Sequence, residues 1–198
     1  HRLIRRQRQM CIRDRLNSLL EYSAAKKIPV VIATTGFDDD QKKQIENAAT
    51  ENGVFFTYNM SLGINLLATL AKKAVDVLGN DFDIEIIEKH HNQKIDAPSG
   101  TALMLADAIC EEIDKPMKYE YDRHSKREKR SKNEIGMHAV RGGTIVGEHE
   151  IIFAGRDEII TLSHSARSKE IFAVGAVNAA KYMVGKGAGL YTMKDLIK

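Results

Sequence analysis

Apolar positions along the chain switch between two periods. Leu16, Leu19, Leu20 and Tyr22 to Ala25 recur at helical spacing and predict a short amphipathic helix. The run IPVVIA that follows predicts a buried parallel strand ending in the small residues Thr34, Thr35 and Gly36. A polar helix over about Asp40 to Asn52, Gly53 and the strand VFFTYN repeat the unit. Ser61 then opens a long helix to about Leu78, with Ile64, Leu67, Ala68, Ala71 and Val75 on one face and Gly79 at its end. From Asp83 the pattern changes. DIEIIEKHH reads as a strand, and Pro98, Ser99 and Gly100 turn the chain into a helix over about Thr101 to Ile113. After a charged segment, IGMHAV, VGEHEIIF and IITLSHSA read as antiparallel strands joined by the turns RGG and AGRDE. Ser168 or Lys169 starts a last helix through Tyr182. The expected architecture is α/β: a partial doubly wound unit, an inserted open mixed or antiparallel sheet, and a closing helix.

Composition narrows this picture. A chain of 198 residues, 43% hydrophobic, with 30 Lys and Arg against 27 Asp and Glu, is long enough to bury a core without metal or disulfide staples. Its apolar runs fall far short of the ~18 residues that span a bilayer. Cys11 and Cys110 lie in unlike contexts and define neither a disulfide framework nor a zinc site, which favours a reducing cytoplasm. The positive charge is concentrated at the start, where Arg2, Arg5, Arg6, Arg8, Arg13 and Arg15 face a single Asp14. That stretch has no interleaved aromatics and no apolar periodicity, so it points to neither nucleic acid nor a membrane. We expect it to be an extraneous basic tail over residues 1–15, with the domain beginning near Leu16. The charge run from Lys118 to Lys132 reads as a solvated face.

Candidate chemistry gathers in residues 88–101. Lys89, His90, His91 and Lys94 set four potential cations at a strand end, just before a helix N-terminus whose free N–H groups attract anions. A small dianion suits such a pocket. Imidazoles exchange protons near neutral pH and an ammonium can donate one, so the group is an acid–base kit. A structural or surface role fits a His–His pair as well. A metal site is a third possibility, since His138, His149 and His164 lie on the strands, but their spacing marks no coordination set and we expect no metal.

The stretch EKHHNQKIDAPSGTAL resembles the signature of the 4-hydroxy-tetrahydrodipicolinate (dihydrodipicolinate) reductase family. VIATTGF, YNMSLGINLL, RGGTIVGEHEIIFAG and SHSARSKEIFAVGAVNAA follow in that family's order and approximate separations, over about residues 16–198. The resemblance implies a partial Rossmann-type unit plus an α+β substrate domain. It also implies hydride transfer from NADH or NADPH to a cyclic dicarboxylate, with loss of its 4-hydroxyl as water, in the diaminopimelate route to lysine. By the same resemblance, His90 would be the proton donor or acceptor and Lys94 a proton donor, with His91, Gly100 and Thr101 binding a substrate carboxylate. Ala33, Thr34 and Thr35 match the family's small-residue cofactor loop, and Thr57, Tyr58, Asn59 and Met60 its second cofactor segment. RGG matches a segment that closes over substrate, though a plain glycine hairpin turn explains it equally well. Assembly as a homotetramer through the inserted sheet is implied too.

The implied division is residues 16–60 as the C-terminal half of a dinucleotide-binding domain, 61–167 as the substrate and oligomerisation domain, and 168–198 returning to the first. A complete dinucleotide-binding fold opens with a strand, a glycine-rich turn and a helix that hold the pyrophosphate. No such motif precedes Leu16. The expectation is an N-terminally shortened chain that binds cofactor weakly and turns over poorly. The competing expectation is a non-catalytic module that oligomerises or only binds a dicarboxylate.

Overall fold

The computed structural model describes residues 15–34 and 36–197, with the backbone alone at Asn80. The basic tail, apart from Arg15, and the cofactor-loop residue Thr35 therefore lie outside the described residues. Contacts divide the chain into two compact units, His1–Leu62 with Glu170–Lys198, and Gly63–Lys169.

The first unit is a parallel sheet with helices. In chain order it contains α1 (Leu16–Lys26), β1 (Val30–Ile32), α2 (Asp39–Ala49) and β2 (Gly53–Phe56). The second unit intervenes before α5 (Glu170–Met183), β8 (Gly189–Tyr191) and α6 (Met193–Leu196). Strands order as β1-β2-β8, all parallel, with Val31 opposite Phe55 and Val54 opposite Leu190. Successive β2 residues serve opposite faces. Val54 joins Leu16, Val30, Ile32, Phe37, Ile45 and Ala49, while Phe55 joins Met60, Ala179, Met183 and Met193. Burial on both faces explains why these strands read as continuous apolar runs. Helix α2 starts one residue earlier than its polar pattern suggested because Asp38 caps it: Gln41 N–H donates to Asp38 Oδ1 at 2.8 Å, and the Gln41 side chain accepts from the Asp38 N–H. Helix α5 lies so close to the chain at Met60 that a Cβ on Gly175 would sit 1.8 Å from the Met60 carbonyl oxygen. Glycine is therefore required there.

The second unit holds most of α3 (Leu62–Leu78), then β3 (Asp83–His90), α4 (Gly100–Cys110), β4 (Lys118–Glu120), β5 (Glu134–Arg141), β6 (Gly147–Ala154) and β7 (Ile159–Ala166). Ile64, Leu67, Ala71 and Val75 of α3 are buried, the stripe expected from their spacing. Gly79 ends the helix at φ +62°. The sheet order is β4-β5-β3-β6-β7. Here the hairpin expectation fails in part. Strands β6 and β7 do pair antiparallel across the turn at Gly155, whose N–H donates to Glu158 O at 2.9 Å. Strands β5 and β6 do not pair at all. Strand β3 lies between them, parallel to β5 and antiparallel to β6, so RGG is a crossover over the end of β3.

The charged segment is mostly exposed, as its composition predicts, but it does more than face solvent. It contributes β4, and some of its cations pair with buried or half-buried carboxylates. Arg130 binds Glu85 (2.9 Å), Asp83 (3.0 Å) and the carbonyls of Ile84 and Glu134. Arg123 pairs with Glu134, and Lys126 with Glu120. The role of Arg130 is invisible in the charge run because its carboxylates lie on β3, more than forty residues earlier in the chain. No described helix is long and apolar enough to cross a membrane.

Candidate active site

Period-two alternation puts Ile84, Ile86, Glu88 and His90 on one face of β3. The strand register then builds rows across the sheet. Ile86 stands beside Met137, Ile151 and Leu162, in the core beneath α3 and α4. One step further along, Glu88 stands beside Ala139, His149 and His164, and beyond that His90 stands beside Arg141. The covered face thus passes from hydrocarbon to titratable groups within a single register step.

Glu88 is fully buried, and hydrogen bonds satisfy its carboxylate completely. Arg141 grips it bidentately, Nη1 to Oε2 at 2.8 Å and Nη2 to Oε1 at 2.6 Å. The Ser99 N–H donates to Oε1 at 3.1 Å, and His90 Nδ1 lies 2.5 Å from Oε2. Burial by itself would raise the Glu88 carboxyl, but the bonds from Arg141 and His90 outweigh it and hold the group below the ordinary carboxylate range. His90 is shifted down: burial lowers its basicity more than Glu88 raises it, and Lys94 and Arg141 add to the lowering.

Ser99 caps α4, its Oγ accepting from the Ala102 N–H at 3.2 Å and lying 3.0 Å from His149 Nε2. His149 packs edge-on against His90 with ring centroids 5.3 Å apart. Burial first, then His90, His164 and Lys94, push it down to about 4 against the opposing effect of Glu88. The crossover is tied to this cluster. Gly142 N–H donates to His90 O (2.9 Å), Asn92 N–H to Gly143 O (3.2 Å), and Arg141 Nη2 to Asp96 O (2.6 Å).

Of the residues expected at a site, His90 is the last residue of β3, and His91, Lys94, Gly100 and Thr101 follow it. Lys94 pairs with Asp96 at 2.8 Å. His91 is half-buried in the turn that it closes with the Lys94 N–H. Gly100 is the first residue of α4 and is exposed, with nothing within 4 Å of where a Cβ would stand; Thr101 beside it is half-buried. The N-terminus of α4, the positive end of its dipole, therefore opens at Gly100 onto space able to take an anion. His138 is not in this group. It lies on the other face and pairs with Glu85 at 2.8 Å.

In the other unit, Ala33 and Thr34 follow β1 while Thr57, Tyr58, Asn59 and Met60 follow β2, at the neighbouring carboxyl ends of two parallel strands. Small and polar residues at that position suit a nucleotide. The second segment is braced internally: Thr57 donates to Asn59 O, and Asn59 Oδ1 accepts from the Ser61 N–H at 2.8 Å. Tyr58 is exposed, whereas Met60 packs in the core.

Glu88, Ser99, Arg141 and His149 were not among the expected site residues. Glu88 had a signal, two residues before His90 on one strand and hence on the same face. Arg141 and His149 had none, because their register with β3 is not local.

The chain matches "Dihydrodipicolinate reductase, N-terminus" over residues 11–60 and "Dihydrodipicolinate reductase, C-terminus" over residues 63–197. It is 56% identical over 185 residues to the 4-hydroxy-tetrahydrodipicolinate reductase of Caldanaerobacter subterraneus subsp. tengcongensis, covering 93% of this chain and 73% of that protein. Identity to the reductase of the same name from Clostridium novyi is 52%, with the same coverage. Among solved structures, the dipicolinate-bound dihydrodipicolinate reductase from Paenisporosarcina sp. TG-14 is similar at a TM-score of 0.72 and 26% identity, over 94% of this chain and 71% of that one.

Proposed function

The chain belongs to the dihydrodipicolinate reductase family, and from that premise we propose that it reduces 4-hydroxy-tetrahydrodipicolinate to tetrahydrodipicolinate with release of water, in the diaminopimelate route to lysine. The observation that carries the reading is a proton-exchanging imidazole, His90, beside an ammonium, Lys94, next to the open N-terminus of α4. His90 Nε2 gives or takes a proton at the ring being reduced, and Lys94 donates one. The first turn of α4 at Gly100 and Thr101, together with His91, holds a carboxylate. Lys94 and the positive end of the α4 dipole favour an anion and orient it.

Ala33, Thr34, Thr35 and the Thr57–Met60 segment would hold the pyridine nucleotide, NADH or NADPH; Ala33, Thr34 and Thr57 fit it as short residues at adjacent strand ends. The bound nucleotide supplies the hydride that no side chain can provide. The proposal assigns residues 16–60 and 168–198 to the cofactor half, 61–167 to the substrate half, and includes assembly as a homotetramer through the mixed sheet.

The test pairs calorimetric titration with dipicolinate and a spectrophotometric assay of substrate-dependent NADH and NADPH oxidation. Dipicolinate should bind, and His90→Gln should leave its affinity within about threefold while turnover falls on the order of 10²-fold. Unchanged oxidation in His90→Gln would sink the catalytic assignment. Dipicolinate binding with no oxidation in any variant would leave a binding module.

A further inference from the structure

Building on the reductase reading, we propose that Glu88 is the positioning residue of the site: gripped by Arg141 and the Ser99 amide, it holds His90 as the Nδ1–H imidazole and leaves Nε2 as the atom that exchanges a proton with the ligand.

The geometry allows one proton arrangement. A guanidinium stays charged, and its bidentate grip keeps the Glu88 carboxylate ionised. An ionised carboxylate can only accept, so a 2.5 Å contact to His90 Nδ1 requires the proton to sit on Nδ1. With Nδ1 bound in this way, the tautomer and the ring's direction are set together. Nε2 is then directed toward the start of β6, where a Cβ on Gly147 would come within 3.1 Å of it.

The groups around the ring act in one sense. Arg141 from β5, Lys94 from the turn after β3, and His149 from β6 are neighbours that do not favour a second proton on His90. Glu88 is the one anion touching the ring among the described residues. It lies two residues from His90, on the same face of the same strand, so strand geometry maintains their spacing. Arg141 also bonds Asp96 O, so one side chain fixes the carboxylate and anchors the segment that carries Lys94. Glu88 acts through His90 and touches no substrate.

The decisive measurement is a long-range proton–nitrogen correlation spectrum of the intact chain, uniformly labelled with nitrogen-15 and recorded near pH 7, with the His90 signals assigned by their loss in His90→Gln. The Nδ1–H pattern is expected. In Glu88→Gln the single amide oxygen pairs with Arg141 and the amide N–H turns toward His90. The tautomer should then invert to Nε2–H, and turnover should fall on the order of 10²-fold with dipicolinate affinity within about threefold. Should Glu88→Gln fail to fold, the wild-type spectrum decides alone.

An Nε2–H His90 in the wild type, or an Nδ1–H pattern retained in Glu88→Gln, overturns the proposal. Adding dipicolinate to the same sample separates the two readings. A shifted His90 Nε2 signal supports the substrate site. No response anywhere near residues 88–101 overturns the reductase reading and the proposal with it. A clear dipicolinate response with the wrong tautomer overturns the positioning role only.

Discussion

The two ends of the covered face of the mixed sheet share strands, register and helices, yet they do opposite work. At one end Ile84, Ile86, Ile135, Ile151 and Phe153 pack with Leu105 and Ile109, every one of them 5% exposed or less. At the other, Glu88 and His149 are equally buried but polar, and Arg141 and His90 close the row. Hydrocarbon needs only contact, so the first end gains stability in proportion to the area removed from water. A buried charge needs a partner for every lone pair and proton, and even a well-made ion pair roughly breaks even on stability. The polar end is therefore a place where the fold holds groups ready for chemistry, supported by the apolar end.

This contrast can be broken from either side. The largest effect is expected from Ile86→Ala, which should cost about 4 kcal/mol in urea unfolding through the cavity left behind, while dipicolinate affinity per folded molecule stays unchanged. A loss of affinity of the same size would mean the two ends are one cooperative device.

Acid should act on the polar end. His149 sits near 4 in the folded chain against an ordinary imidazole value of 6.5, so between those values the unfolded chain binds more protons than the folded one. Its contribution is intact above pH 6.5 and is lost as pH falls toward 4, about 3 kcal/mol in all. His90 and His164 are shifted in the same direction and steepen the loss. Thermal unfolding followed across this window should show the slope, and His149→Gln should flatten it, whereas Ile86→Ala should lower the curve without changing its shape.

Gly147→Ala probes the polar end more gently. A methyl 3.1 Å from His90 Nε2 must push the ring by a few tenths of an ångström. Turnover should fall by about tenfold for a stability change within about 1 kcal/mol. Equal turnover would show that His90 has more room than its packing indicates. The smallest effect belongs to the reverse face of the same strands, where Lys89 pairs with Glu148 at 3.3 Å, half in solvent. Lys89→Ala should change stability by no more than about 0.5 kcal/mol and leave dipicolinate binding as it was.

Much of this was legible along the chain, for reasons that differ by element. Helix α3 announced itself because its buried stripe repeats every three to four residues, a spacing set by one helix alone. The position of His90 and Lys94 at the end of a strand, just before a capped helix, was readable for the same reason: Ser99, Gly100 and the apolar run behind them are contiguous. Strand β4 was hidden because three residues inside a charge run carry no period. Arg141 reads as part of a turn, since a short Gly-containing spacer between two extended runs ordinarily makes a hairpin.

What the amino-acid sequence determined by itself was therefore the longer helices and strands, their buried faces and the family, all of which depend on residues near one another in the chain; β4, β8 and α6, of three or four residues each, are too short to carry a period. Only the tertiary structure decided that β3 enters between β5 and β6. That choice rests on backbone hydrogen bonds between strands more than forty residues apart, which no local pattern encodes, and it is what brings Arg141 and His149 to either side of Glu88 and His90.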